Sequence, residues 1–105
     1  MTTWHQVIAL DELEDEEPTP VQVGETPIAL VRVADDVYAL HDICTHEVAP
    51  LSDGFVEDGC LECPLHQGLF DLATGKAVKE PCTVDVRTYQ TRVVDGTVEI
   101  EMETA

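Results

Sequence analysis

Two short segments carry side chains that could hold a metal: Cys44-Thr45-His46 and Cys63-Pro64-Leu65-His66, with sixteen residues between them. Each brings one thiolate and one imidazole together, a donor set suited to zinc or iron and to little else. By ligand count alone, two Cys and two His satisfy one tetrahedral zinc. Structural zinc sites usually group their ligands as CxxC with HxxxH, however, and here each segment mixes the two types at unequal spacing. Cys60-Leu61-Glu62-Cys63 forms an overlapping CxxC, which at the start of a helix would read as a dithiol redox site. The flanking Gly59 and Pro64 favour a strand and turn there instead. Cys60 itself reads as a small buried apolar residue, and so does Cys82. His5 and His41 have no ligand partner at short spacing, which suggests surface or hydrogen-bonding roles.

The elements that must position these segments read as short alternating apolar runs broken by turn residues, an all-β pattern with no sustained helical period. Val7-Ile8-Ala9-Leu10 closes a first strand, and Val21-Gln22-Val23 leads to a turn at Gly24-Glu25-Thr26-Pro27. Ile28 to Val33 is a near-continuous apolar run of the kind a buried strand shows. A turn at Asp35-Asp36 precedes Val37-Tyr38-Ala39-Leu40, which delivers the chain to Cys44, and Gly59 to Glu62 delivers it to Cys63. Leu69-Phe70-Asp71 precedes a turn at Ala73-Thr74-Gly75-Lys76. Val84 to Val94 and Thr97 to Met102 flank Asp95-Gly96, a strong hairpin signal. Trp4, Tyr38 and Tyr89 read as core or core-edge aromatics. Both ligand pairs therefore fall in loops between strands, where two tips can converge on one centre.

A binuclear cluster of two irons and two sulfides needs four protein ligands. Exchanging two of four thiolates for neutral imidazoles makes the shell less anionic, stabilises the reduced state and raises the potential. The pattern CxH, sixteen residues, CxxH resembles the signature of Rieske 2Fe-2S proteins. The resemblance extends through Leu51-Ser52-Asp53-Gly54, Glu62 to Gly68, Phe70-Asp71, Thr74-Gly75-Lys76-Ala77 and Val86-Arg87-Thr88-Tyr89. It is nearest to the small ferredoxins of bacterial aromatic-ring-hydroxylating dioxygenases, the naphthalene-dioxygenase type in particular. The resemblance implies a Rieske fold, an antiparallel β-sandwich of small sheets with two ligand loops forming a cluster-binding tip, as a single domain over residues 1–105. It further implies one 2Fe-2S cluster, with Cys44 and Cys63 on the inner iron and His46 and His66 on the outer, redox-active one. Pro64, Leu65, Gln67 and Pro81 would surround the exit path, and a loop around Glu80-Pro81-Cys82 would cover the cluster.

The departures from high-potential Rieske proteins are informative too. Ala49 and Leu65 stand where that branch resembles a disulfide-forming pair, and Gly68 and Phe70 stand where its serine and tyrosine hydroxyls donate to the cluster sulfurs. Fewer donors imply a potential near the low end of the Rieske range, roughly −150 mV. The expected function is one-electron shuttling from a flavin-dependent ferredoxin reductase to a terminal oxygenase, with no substrate transformed by this chain. The alternatives are a Rieske-like small subunit of a nitrite-reductase-type assembly and a zinc-stabilised binding module. A terminal oxygenase itself would need a second domain with a mononuclear iron site, for which 105 residues leave no room.

Twenty-two acidic residues against five basic ones give a formal charge of −17, which excludes nucleic acid and anionic membranes as partners. The field either steers the protein toward a basic patch on a partner or serves as a solvated coat. The run Asp11 to Glu17 reads as an exposed loop, because like charges at that density repel. No stretch reaches 18 uninterrupted apolar residues, and Met1-Thr2-Thr3-Trp4 lacks a basic, apolar leader. A cytoplasmic monomer with reduced thiols is expected.

Overall fold

The computed structural model describes residues 2–43, 49–64, 68–80 and 84–103. Among the described residues, eleven strands follow in chain order: β1 (Thr2–Ala9), β2 (Thr19–Val23), β3 (Thr26–Val33), β4 (Asp36–His41), β5 (Phe55–Glu57), β6 (Cys60–Glu62), β7 (Leu69–Asp71), β8 (Ala77–Lys79), β9 (Thr88–Tyr89), β10 (Thr91–Val94) and β11 (Thr97–Glu103). Single 3-10 turns occupy Leu10–Glu12 and Leu51–Asp53. The strands form three antiparallel sheets, ordered β1-β11-β10, β2-β3-β4-β9 and β5-β6-β7-β8.

The central strand explains the layering. On β3, Ala29 and Val31 join one buried cluster while Ile28 and Leu30 join another, and all four are fully buried. Because side chains alternate along a strand, the four-stranded sheet of β2, β3, β4 and β9 buries both faces. One face packs on Leu61 and Phe70 of the sheet built from β5 to β8 and on Leu72 just after β7, and the other on Val98 and Ile100 of β11. A strand covered on both sides carries an unbroken apolar run, as Ile28 to Val31 does.

Several local expectations shift. The turn after β2 is only Gly24-Glu25, since Val23 pairs with Thr26 and Pro27 lies within β3. Pairing of Val33 with Asp36 likewise moves the next turn to Ala34-Asp35, with Ala34 at φ +54°. Val84 to Val94 is not one strand: Tyr89 pairs with Ala39 of β4, whereas Thr91 pairs with Ile100 of β11. Gln90 lies where the chain leaves one sheet for the other, so tertiary pairing overrides an apolar pattern that reads as continuous. Strands β5 and β8, three residues each, are additional to the expected set.

The acidic run is not simply an exposed loop. Leu13 is 3% exposed and packs in the second core, and Arg32 donates from Nη1 to the Leu10 and Leu13 carbonyls at 3.3 and 3.5 Å. Asp15 Oδ1 accepts the Ala34 N–H at 2.7 Å. The backbone is thereby held against the end of β3, while the other carboxylates of the run remain exposed to water. Trp4 does not join the core: it pairs with Glu101 on the face of β11 opposite Val98 and Ile100, half-buried beneath the Arg92 guanidinium, which lies 4.1 Å from its ring centre.

Candidate metal centre

Residues 44–48, which include Cys44 and His46, and 65–67, which include Leu65, His66 and Gln67, lie outside the described residues, as do 81–83 with Pro81 and Cys82. The bases of both ligand loops, and Cys63, are described.

The first loop leaves β4 through a dense set of bonds. His41 N–H donates to the Arg87 carbonyl at 2.8 Å, and Asp42 N–H donates to the Pro27 carbonyl at 3.0 Å. Ile43 then bridges Pro50, and Leu51 N–H donates to the Asp42 carbonyl at 2.6 Å, so the segment containing Cys44 and His46 is closed at its base. The Asp42 side chain, 6% exposed, accepts Ser52 N–H on Oδ1 at 2.7 Å and Ser52 Oγ–H on Oδ2 at 2.9 Å. Its burial is offset by those charge-assisted bonds.

The second loop caps the β6–β7 hairpin. Its ladder runs Cys60↔Asp71, Leu61↔Phe70 and Glu62↔Leu69, and is prolonged by Cys63 N–H donating to the Gly68 carbonyl at 2.8 Å. Four residues, Pro64 to Gln67, separate Cys63 from Gly68 in the sequence. Cys63 is 1% exposed and shares a core cluster with Ala49 and Leu51 from the base of the first loop. Between the two bases the chain passes through Gly54, where a Cβ would run into the Glu62 carbonyl oxygen. A bare backbone at Gly54 lets the 3-10 turn lie directly against the end of β6, setting the two loop bases side by side.

This arrangement fits a cluster ligated from two adjacent loops. One thiol stands buried at the root of the CxxH loop, and the base of the CxH loop packs on the same core. Phe70 is fully buried apolar core and Gly68 contributes its carbonyl to the hairpin, so neither position supplies a side-chain donor. Ala49, where the disulfide branch has a cysteine, is 4% exposed in the same core.

The CxxC alternative does not survive the strand geometry. Burial alternates along β6 from half-buried Cys60 to buried Leu61, half-buried Glu62 and buried Cys63, placing the two cysteines on opposite faces. Nor is Cys60 a buried apolar residue as its pattern suggests: it lies on the outer face of a sheet covered on one side only. Burial, and then the carboxylates of Asp71, Asp58 and Glu57, push its thiol pKa up, the reverse of an activated dithiol. His5 and His41 take hydrogen-bonding roles, His5 Nε2 with Thr3 Oγ1 at 2.9 Å and His41 Nδ1 with Tyr89 Oη at 3.5 Å. The sequence reading overlooked Asp42, whose only signal was its place two residues before Cys44, and it took Gly54 only as part of the Leu51-Ser52-Asp53-Gly54 match, without its spacing role.

The chain belongs to the Rieske [2Fe-2S] family, whose domain model matches residues 3–90. Several curated relatives that match nearly the whole chain are ferredoxin components of dioxygenase systems. The ferredoxin subunit of anthranilate 1,2-dioxygenase from Burkholderia cepacia is 48% identical over 102 residues, covering 97% of this chain and 94% of that one. The ferredoxin component of the naphthalene 1,2-dioxygenase/salicylate 5-hydroxylase systems of Ralstonia sp is 41% identical over 100 residues, covering 95% and 96%. Among solved structures, a chain from the complex of reduced oxygenase and oxidized ferredoxin in carbazole 1,9a-dioxygenase superposes with a TM-score of 0.86 at 37% identity, covering 92% of this chain and 91% of that one. The chain is thus a Rieske ferredoxin of the dioxygenase-component type, an electron carrier with one [2Fe-2S] cluster rather than a catalyst.

Proposed function

We propose that Cys44, His46, Cys63 and His66 ligate the cluster, and that the protein carries single electrons from a flavin-dependent ferredoxin reductase to the terminal oxygenase of an aromatic-ring-hydroxylating system. The observation that supports this most directly is the packing of buried Cys63 and the base of the CxH loop on one core. The cluster supplies one-electron storage. What the chain supplies is placement: Cys44 and Cys63 hold the inner iron against the core, and His46 and His66 hold the outer iron toward the partner. Loop bases tied into sheet ladders limit movement between oxidation states. Pro64, half-buried at the start of the second tip, together with Leu65, Gln67 and Pro81, would border the docking face. The whole chain acts as one domain and as a monomer that meets its two partners in turn. A cytoplasmic setting suits it, because ligand thiols must stay reduced until the cluster is inserted. No helix among the described residues is long and apolar enough to cross a membrane.

Metal and sulfide analysis of the isolated protein tests the ligation. Two irons and two acid-labile sulfides per chain, with a rhombic EPR signal on reduction, are expected; one zinc without colour would overturn the reading in favour of a zinc module. His66→Cys should load a cluster of lower midpoint potential, because an anionic thiolate replaces a neutral imidazole on the outer iron. An unchanged midpoint would remove His66 from the site. Reconstitution with a dioxygenase reductase and oxygenase should restore turnover; transfer only to a nitrite-reductase assembly would favour that alternative.

A further inference from the structure

We propose that Asp42 and Ser52 form a clamp that sets the geometry of the first ligand loop, making Asp42 a positioning residue for the cluster. This rests on the ligation proposed above. Every polar group of Asp42 is committed to tying down the base of that loop. Its N–H reaches back to the Pro27 carbonyl of β3, its own carbonyl accepts from Leu51 N–H, and its carboxylate takes both donors of Ser52. The residues immediately beyond, Ile43 and Pro50, are bridged across the loop mouth. Asp42 therefore joins β3, the end of β4 and the returning 3-10 turn, two residues before Cys44.

The choice of side chain argues for positioning rather than bulk stability. An apolar residue would fill this nearly inaccessible position without the desolvation penalty of a carboxylate, and the N–H of Ser52, at the start of a 3-10 turn, has no helical partner of its own. The carboxylate accepts from the backbone N–H and the hydroxyl of one residue, a two-point grip that fixes the direction of the turn as well as its distance. Ser52 leads into Gly54, where β6 is approached most closely, so the clamp also sets the CxH loop relative to Cys63. A rotation at Asp42–Ser52 would turn Cys44 and His46 against Cys63 and His66, altering ligand angles at both irons.

The test compares wild type, Asp42→Ala, Asp42→Asn and Ser52→Ala as purified holoproteins. Iron and sulfide per chain, EPR g-values and midpoint potential are measured, along with thermal unfolding of each apoprotein. Asparagine keeps an acceptor for Ser52 N–H and can donate to its hydroxyl oxygen. Asp42→Asn should therefore load fully with g-values matching wild type. Asp42→Ala should lose half or more of its iron, with shifted and broadened g-values in the clusters that remain, and Ser52→Ala should show a smaller shift in the same direction. Should Asp42→Ala fail to fold, Ser52→Ala decides: a shifted spectrum supports the clamp and a superimposable one overturns it. Wild-type loading and spectra in Asp42→Ala, or no restoration by Asp42→Asn, would also overturn it. A wild-type protein without iron and sulfide would instead refute the ligation reading.

Discussion

Replacing Gly54 with alanine should damage this protein far more than one methyl group suggests. The backbone there has φ −88° and ψ −158°, extended values that alanine also adopts, so the cost comes from space. The new Cβ would collide with the Glu62 carbonyl oxygen, and would lie 3.0 Å from the Glu62 carbonyl carbon and 3.1 Å from the Leu51 carbonyl oxygen. All three obstacles are backbone and cannot rotate away. Overpacking costs about 1–3 kcal/mol where side chains can yield, so a clash with two backbone segments belongs at ~3 kcal/mol. At roughly 2.1 cal/mol/K per residue, unfolding this 105-residue chain releases about 0.22 kcal/mol/K, and Tm should fall by ~14 °C. Far-UV circular dichroism melts of the apoprotein measure the fall, and iron per chain in the holoprotein should drop with it because Glu62 directly precedes Cys63. Gly24→Ala is the control: its Cβ meets nothing within 4 Å, and only φ +60° opposes it, a cost of ~1–2 kcal/mol. A Gly54→Ala protein that loses less than ~4 °C, under 1 kcal/mol on the same conversion, with full iron would refute the close approach of the 3-10 turn to β6.

Five other outcomes are expected. Phe70→Ala, which empties a fully buried site beside Leu61 and Cys63, should cost about 3–5 kcal/mol in denaturant unfolding and lower cluster retention. With 22 acidic residues against five basic ones, raising sodium chloride from about 10 mM to 500 mM should raise apoprotein Tm by screening self-repulsion. The same salt should slow electron transfer to the oxygenase if the charge steers docking, whereas a flat rate would leave solubility as its role. In a Cys82→Ser holoprotein, Cys60 should alkylate more slowly at pH 8 than a free thiol, with its half-point above pH 9; Asp71→Asn should hasten it. Because the folded-state pKa of Cys60 is raised, its contribution to stability is present below the unfolded pKa of about 9 and is lost as pH climbs through the folded value, which apoprotein melts between pH 8 and pH 11 would register.

The amino-acid sequence alone determined the all-β class, the two candidate ligand segments and the family. Those properties are written locally: period-two runs, turn pairs such as Asp95-Gly96, and the CxH and CxxH spacings each reside in a few adjacent residues. Ile28 to Val31 even announced burial on both faces, because a strand without a solvent side has no reason to alternate. Tertiary structure decided everything that depends on two distant segments meeting. It divided Val84 to Val94 between two sheets, since hydrogen-bond partners on β4 and β11 outweigh a continuous apolar pattern. It drew Leu13 out of an acidic run into the core, where Arg32 gathers the Leu10 and Leu13 carbonyls. It placed Cys60 and Cys63 on opposite faces despite their CxxC spacing. It also revealed Asp42 as a nearly inaccessible carboxylate held by Ser52, ten residues along the chain, and Gly54 as the gap through which the loop bases come together. Steric exclusion and hydrogen-bond closure act between groups close in space, and a linear pattern records only which groups are close in order.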